Sequence, residues 1–274
     1  MNQKVYNFLI SLIPFAVFVG VTLVVYSVFS IYASAVTHDV NEAEDFINKY
    51  LLHLTAAIDA ILIPIFYLMW KSDRIAYPLK KTNMPIFTWS ILTLIGASAC
   101  LALNYLLSMF MPKAILDTYD SASEVLWNEN LMWLSFVAVV ILAPLCEELM
   151  FRGLIYTRMR VILKAPYTIL ISALLFGFYH GNALQFMYAF MLGIILAYMM
   201  ETYRNIWAPI VVHASANLIS WFLTYVVMIP SDEGGRLDYS ILCGNLLITF
   251  TGLFGIVYTK KKISKKSKSE EQHE

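Results

Sequence analysis

Long apolar stretches recur along the whole chain and constrain its fold more than any other feature. A helix that crosses a bilayer needs about 20 apolar residues. Eight stretches are candidate spans, at 8–34, 51–70, 86–110, 131–151, 167–181, 184–203, 206–228 and 241–259. Only 14% of the residues are charged, whereas soluble domains carry about 25%. The sequence therefore predicts an all-α, polytopic membrane protein with about eight transmembrane helices, surrounded by the lipid bilayer.

No internal repeat and no second domain interrupts this pattern, so residues 1–274 are predicted to form a single transmembrane domain. The first apolar run, 5–35, is too long for the apolar region of a signal peptide, and we interpret it as a retained first helix. Very short links make the fifth, sixth and seventh spans antiparallel neighbours. The acidic loops 36–50 and 111–130 could form short surface helices, and the tail 260–274 is expected to be disordered.

Lysine and arginine residues gather on one side of the eight-span arrangement. They are Lys4, Lys71, Arg74, Lys80, Lys81, Arg158, Arg160, Lys164, Arg204 and the six lysines of the tail. The other side has only Lys49, Lys113 and Arg236, together with most of the acidic residues. Because cytoplasmic loops are enriched in lysine and arginine, both termini are expected in the cytoplasm. The net charge is zero and indicates no nucleic-acid partner, and the sequence does not define an oligomeric state.

The segment 143–152, APLCEELMFR, places two adjacent carboxylates and an arginine at the end of the fourth span. Charges inside a membrane are kept mostly where they pair or do chemistry. On a helix, Glu148 and Arg152 are four residues apart on one face, in the favourable order for an ion pair. Glu147 points about 100° away and is left as a candidate general base. The alternative is a purely structural glutamate–arginine clamp.

A few other polar side chains fall within the spans. Asp59 lies in the second, His180 ends the fifth, and His213 and Asn217 share one face of the seventh. Each alone is typical of a hydrogen bond between helices. Together with Glu147 they offer a base, an electrophile and an oxyanion donor for hydrolysis, or the N and O ligands of a metal site. Asp59 is interpreted as a structural residue, with a proton relay as the alternative.

Residue counts give these groups different depths. At about 1.5 Å per residue, Glu147 and His213 lie about 10 Å from the cytoplasmic side, whereas His180 lies nearer 20 Å. Two prolines precede the polar groups. Pro144, inside a helix, frees a backbone carbonyl that must find a partner in the membrane. Pro209 fits either a second kink or the start of a helix.

Three motifs follow one another in the second half of the chain. They are Glu147-Glu148-x-x-x-Arg152, Phe176-x-x-x-His180 and His213-x-x-x-Asn217. In this order they resemble the motifs of the CAAX protease and bacteriocin-processing family, also called CPBP or Abi, which includes the type II CAAX prenyl proteases. The resemblance covers about residues 130–220.

The resemblance implies an intramembrane endopeptidase with a conical, cytoplasm-facing cavity that cleaves a peptide or a membrane protein from the cytoplasmic side. In the implied roles, Glu147 activates water with help from His180, His213 and Asn217 form the oxyanion site, and Glu148 and Arg152 hold the frame. Without an accessory soluble domain, the chain looks like a bacterial member, in a group linked to peptide processing and bacteriocin immunity. The alternatives are a non-proteolytic immunity or scaffold protein and, less favoured, a small proton-coupled transporter.

Members of this family are often called metalloproteases. If zinc were bound, the ligands would be Glu147, His180 and His213. The sequence lacks a His-Glu-x-x-His helix, and we favour a glutamate-dependent site without an obligatory zinc. No cofactor is therefore predicted with certainty.

Overall fold

The structure, a computed structural model, describes residues 3–76, 84–116, 129–227 and 243–256. Within these ranges the chain forms helices and no strands. The principal helices are α1 (Gln3–Ser11), α2 (Ile13–Val36), α3 (Val40–Lys49), α4 (Leu51–Ala76), α5 (Ile86–Phe110), α6 (Met132–Ile162), α7 (Ala165–Tyr179), α8 (Ala183–Tyr203), α9 (Trp207–Val226) and α10 (Cys243–Ile256).

The predicted all-α membrane fold is confirmed. Six helices of the described chain are long and apolar enough to cross a membrane, the first of them formed by α1 and α2 together, while α7 and α10 are shorter. The predicted end of the fourth span at 151 is wrong, because α6 continues to Ile162. Arg152, the first residue after that predicted end, is fully buried and paired with Glu148. An arginine neutralised in this way does not end a span.

The outer surface of the bundle is apolar. In α2, four large side chains are 61–72% exposed: Leu23, Val24, Val28 and Ile31. An exposed apolar surface of this kind on a long helix marks contact with the membrane. The α2 helix thus faces lipid over much of its length.

Helix α6 runs through the centre of the bundle. Its second half is the most buried part of the described chain, and Met150, Phe151, Leu154, Ile155 and Met159 have no exposed surface. Helices α5 and α9 approach closely beside it at Gly96, where a Cβ atom would overlap the carbonyl oxygen of Val212. Only glycine permits this approach.

The two ends of the bundle differ in charge. At one end, which we call the basic end, the Arg158 Nε donates to Asp73 Oδ2 at 2.7 Å and the Arg160 Nε to Glu201 at 3.1 Å. These ion pairs join the ends of α4, α6 and α8. The described lysines and arginines at the basic end are Lys4, Lys71, Arg74, Arg158, Arg160, Lys164 and Arg204.

The opposite end, which we call the acidic end, carries the short helix α3 in the loop where a surface helix was considered. Asp39 caps it by accepting a hydrogen bond from the Glu42 N–H at 2.8 Å, as N-terminal acidic residues commonly do. The described charged residues here are Asp39, Glu42, Glu44, Asp45, Lys49, Lys113 and Glu129. Residues 117–128 of the second acidic loop and the tail 260–274 lie outside the described residues.

Candidate active site

Two helices and one turn bring the polar residues of the sequence motifs to a single cavity. Glu147 comes from α6, His180 from the turn after α7, and His213 and Asn217 from α9; all four line the cavity. Its volume is about 550 Å³, within the range of small-molecule and peptide sites, roughly 300–1,000 Å³. The sequence motifs gave only the order of these residues along the chain, and the structure shows that they lie together in space.

The unequal depths expected from residue counting are corrected by the structure. Helix α6 extends 15 residues beyond Glu147, to Ile162, which moves the glutamate towards the middle of the bundle. Helix α9 begins deep, since the Ile206 side chain lies beside Gly153 of α6. Pro209 is the third residue of this helix, so the helix-start interpretation is correct. Glu147 and His213 therefore lie deeper than the residue counts gave, at the cavity that His180 also lines.

The turn that holds His180 depends on one glycine. Gly181 has φ +76°, a left-handed conformation that favours glycine. The next residue, Asn182, accepts a hydrogen bond from the Gln185 N–H at 2.8 Å and caps α8. Helix α7 consequently stops after 15 residues, and His180 is fixed at its end, inside the bundle.

The two glutamates lie in a short α-helical stretch of α6 that is flanked on both sides by π-helical stretches. Phe136–Leu142 and Leu149–Tyr156 are wound as π-helix, and Ala143–Glu148 as α-helix. π-Helical turns are rare and occur often at functional sites. The change in winding sets the directions in which Glu147 and Glu148 point. A sequence read with the α-helical period cannot detect it.

Glu148 and Arg152 form the ion pair expected from their spacing. The Arg152 Nη1 donates to Glu148 Oε1 at 2.8 Å, and neither side chain is exposed. The arginine also donates to the Gly193 carbonyl at 3.2 Å and lies over the Phe176 ring, 4.3 Å from its centroid. These last two contacts, which tie α6 to α7 and α8, were not predicted.

His213 is held by the same carboxylate. Its Nδ1 lies 2.9 Å from Glu148 Oε1, and since the ionised carboxylate accepts, Nδ1 is the donor. This orients Nε2 towards Glu147, whose Oε2 is 3.8 Å away. Sequence reasoning missed this contact because nothing in the order of the motifs relates α6 to α9.

Glu147 differs from Glu148 in its surroundings. It lines the cavity, whereas Glu148 does not; the Oε2 atoms of both glutamates are buried without a hydrogen-bond partner among the described residues. Arg152 Nη1 bonds to Glu148. Glu147 is thus the carboxylate of the pair that lies at the cavity.

His180 has a defined tautomer. Its Nδ1 lies 2.8 Å from the Phe176 carbonyl oxygen, and a carbonyl only accepts, so Nδ1 carries the hydrogen. In the neutral ring, Nε2 is then an acceptor. This contact links both defining residues of the second motif.

Asn217 has a backbone partner. Its Nδ2 donates to the Val139 carbonyl at 2.8 Å. Val139 lies five residues before Pro144, and in a π-helical turn its carbonyl would accept from the N–H that proline lacks. Asn217 therefore satisfies the carbonyl that Pro144 frees, and one of its two amide hydrogens is left for the cavity.

The residues named for zinc are not assembled as a metal site. Among the described residues, no three His, Cys, Asp or Glu side chains form a group that could hold a metal ion. Glu147 Oε2 and His213 Nε2 approach each other, but His180 does not complete a group with them. This arrangement does not fit the three protein ligands of a catalytic zinc.

Asp59 lies next to this site, outside the cavity lining. It is 3% exposed and hydrogen-bonded to the Cys146 thiol. Cys146, which adjoins Glu147, is itself 1% exposed. This contact fits the structural interpretation of Asp59.

The cavity extends towards the acidic end of the bundle. A conical cavity facing the cytoplasm and termini in the cytoplasm were both expected, yet α1 lies at the basic end, where the Ile10 carbonyl accepts from Arg158. The two expectations cannot both hold. A smaller cavity of about 150 Å³ at the basic end, between Arg160 and Arg204, contains none of the motif residues.

Comparisons with known proteins agree with the motifs. Residues 129–219 match the family model "type II CAAX prenyl endopeptidase Rce1-like", and this range contains all three motifs. It covers 91 of the 274 residues. Comparisons with curated proteins and with solved structures gave no match. Residues 129–219 are thus an Rce1-like region, consistent with the CAAX protease family that the motifs resemble.

Proposed function

We propose that the protein is an intramembrane, glutamate-dependent endopeptidase that cleaves a peptide or membrane-protein substrate. The observation that carries this proposal is the unequal pair on α6. Glu148 is neutralised by Arg152 outside the cavity lining, while Glu147 lines the cavity and its Oε2 lies 3.8 Å from His213 Nε2. A structural clamp would need only one of these carboxylates.

In the proposed reaction each side chain of the cavity has a defined role. Glu147 takes a proton from water, which His180 Nε2 helps to orient, and the resulting hydroxide attacks the scissile carbonyl carbon. The negative charge that develops on the carbonyl oxygen is met by Nε2–H of a protonated His213 and by the second amide hydrogen of Asn217. Glu147 then gives its proton to the leaving amine as the C–N bond breaks.

Glu148 and Arg152 have positioning roles in this scheme. The Glu148 carboxylate accepts from both Arg152 and His213, so it stabilises a positive charge on the imidazole. Arg152 in turn fixes Glu148. Neither side chain lines the cavity.

Proteolysis can be tested without a known substrate. The purified protein in lipid nanodiscs is incubated with a proteome-derived peptide library, and new termini are identified by mass spectrometry. We expect cleavage by the wild type and none above background by Glu147→Gln. An immunity factor, scaffold or transporter would yield no new termini with either protein, and that result would refute the proposal.

For Asn217→Ala we expect a loss of roughly 10²–10³-fold in kcat/KM, the typical cost of one oxyanion donor. Because Asn217 also satisfies the Val139 carbonyl, the variant should unfold at a lower temperature. Kinetics with a library-derived peptide and thermal unfolding are both measured. Asn217→Ser is the matched variant, since a hydroxyl can donate to only one group. If Asn217→Ala is destabilised but turns over normally, the residue is structural only.

We expect the active protein to carry no stoichiometric, tightly bound metal, because Glu147, His180 and His213 do not assemble a three-ligand site. The test is to measure the metal content of the purified protein by elemental analysis, and its peptide cleavage before and after exhaustive chelation. One zinc per chain, with activity that is lost on chelation and regained on zinc addition, would reassign these side chains as ligands.

A further inference from the structure

Among the described residues, the cavity extends from the site towards one end of the bundle. Beyond the motif residues, its polar lining comes from the parts of four helices that lie towards the acidic end. Thr55 is in the first two turns of α4, Asn104 and Ser108 are in the last two turns of α5, Gln185 is in the first turn of α8, and Ser220 follows Asn217 along α9. Helix α7 is short and its turn lies inside the bundle. The space between His180 and the acidic end therefore belongs to the cavity.

Towards the basic end the site is closed. Below Glu147, the buried side chains of α6 fill the bundle from Met150 to Met159. The Phe151 ring packs against Phe176 and Tyr179, with centroids 5.1 and 5.6 Å apart. A polypeptide could not reach Glu147 from this side without unpacking the most buried part of the described chain.

The distribution of charge assigns the two ends to the two sides of the membrane. Among the described residues, seven lysines and arginines lie at the basic end and two at the acidic end. Lysine and arginine near the ends of spans are retained in the cytoplasm, and acidic residues have little influence. The basic end is therefore the cytoplasmic one.

We infer that the active-site cavity opens to the outside of the cell membrane and receives an uncharged, largely apolar polypeptide segment from that side. Apart from Glu147 and the two histidines, the described residues of the lining include no ionisable group other than tyrosine; they are Thr, Ser, Asn, Gln and apolar or aromatic side chains. A charged segment would leave its charges unpaired there. The identity of the ligand as a substrate rests on the proposed peptidase function, whereas the direction of the opening does not.

Cysteine labelling tests the direction in cells that express the full chain. Cys100 and Cys146 are 1% exposed and stay, whereas the exposed Cys243 is replaced by serine. Single variants Asn104→Cys, Gln185→Cys and Ser220→Cys report on the cavity. Glu44→Cys and Ser72→Cys, at exposed positions, report on the acidic and basic ends. Intact and lysed cells are treated with a membrane-impermeant maleimide.

We expect the cavity cysteines and Glu44→Cys to be labelled in intact cells, and Ser72→Cys at least about tenfold less until the cells are lysed. Labelling of Ser72→Cys but not Glu44→Cys in intact cells would reverse the orientation and overturn the inference. So would labelled Glu44→Cys with all three cavity cysteines unlabelled, because the cavity would then not open outwards. The same series in a Glu147→Gln background needs no proteolysis, so its outcome is independent of the peptide-library test.

Discussion

Glu147→Gln should abolish nearly all peptide cleavage while leaving the fold intact. Removing a general base typically costs about 10²–10⁴-fold in rate. Glutamine has almost the same shape, and Glu147 has no ion pair with Arg152 that the change would break. We therefore expect kcat to fall with little change in the temperature of unfolding. Initial rates with a library-derived peptide and thermal unfolding in nanodiscs measure the two effects.

Glu148→Gln is the matched control for this prediction, since it makes the same chemical change one residue away. Here the buried Arg152 loses its counter-charge and His213 loses a charged acceptor. We expect a lower yield of folded protein and a lower unfolding temperature, with a smaller loss of activity per folded molecule. If both variants lost activity equally and folded normally, the division of roles between the glutamates would be wrong.

The fold class and the membership of the site could be predicted from sequence because their signals are local. Apolar runs of membrane length define the spans, and the four-residue spacing of Glu148 and Arg152 predicts their ion pair. The motifs also named His180, His213 and Asn217 as candidates. These predictions require only the regular geometry of a helix.

Contacts between helices were not predictable in the same way. The hydrogen bond from His213 to Glu148 depends on where α9 begins relative to α6, and that position is set by packing at Ile206. The π-helical stretches change the rotation along α6, and the α-helical period hides them. The partner of the carbonyl freed near Pro144 was expected to exist, but only the structure identifies Asn217.

The side on which the cavity opens depends on both kinds of information. Charge patterning, which is local, predicts the orientation of the spans. The direction of the cavity depends on the early end of α7 and on the buried half of α6. The sequence showed that the fifth span is short, but a short helix has no consequence for access until its neighbours are placed around it. The resemblance to a family therefore could not replace the geometry of this chain.

Arg152→Ala should destabilise the protein more than any other single change at the site, by about 3–5 kcal/mol, the usual cost of removing one partner from a buried ion pair. The arginine has no exposed surface, neutralises Glu148, donates to the Gly193 carbonyl and covers the Phe176 ring. Its removal leaves a buried carboxylate, an unpaired carbonyl and a cavity at the junction of three helices. Thermal unfolding and the yield of folded protein in nanodiscs measure the effect.

Arg204→Ala is the matched control, because Arg204 is 43% exposed and its contact with Glu201 is long, at 3.7 Å. Exposed pairs of this kind contribute only about 0–1 kcal/mol, so we expect little change. The double variant Glu148→Gln, Arg152→Met separates charge from packing, since it removes both charges and keeps most of the volume. It should be more stable than Arg152→Ala, because no uncompensated charge stays buried. If Arg152→Ala unfolded at the wild-type temperature, the ion pair would not hold the three helices together, and the positioning role proposed for Glu148 would lose its basis.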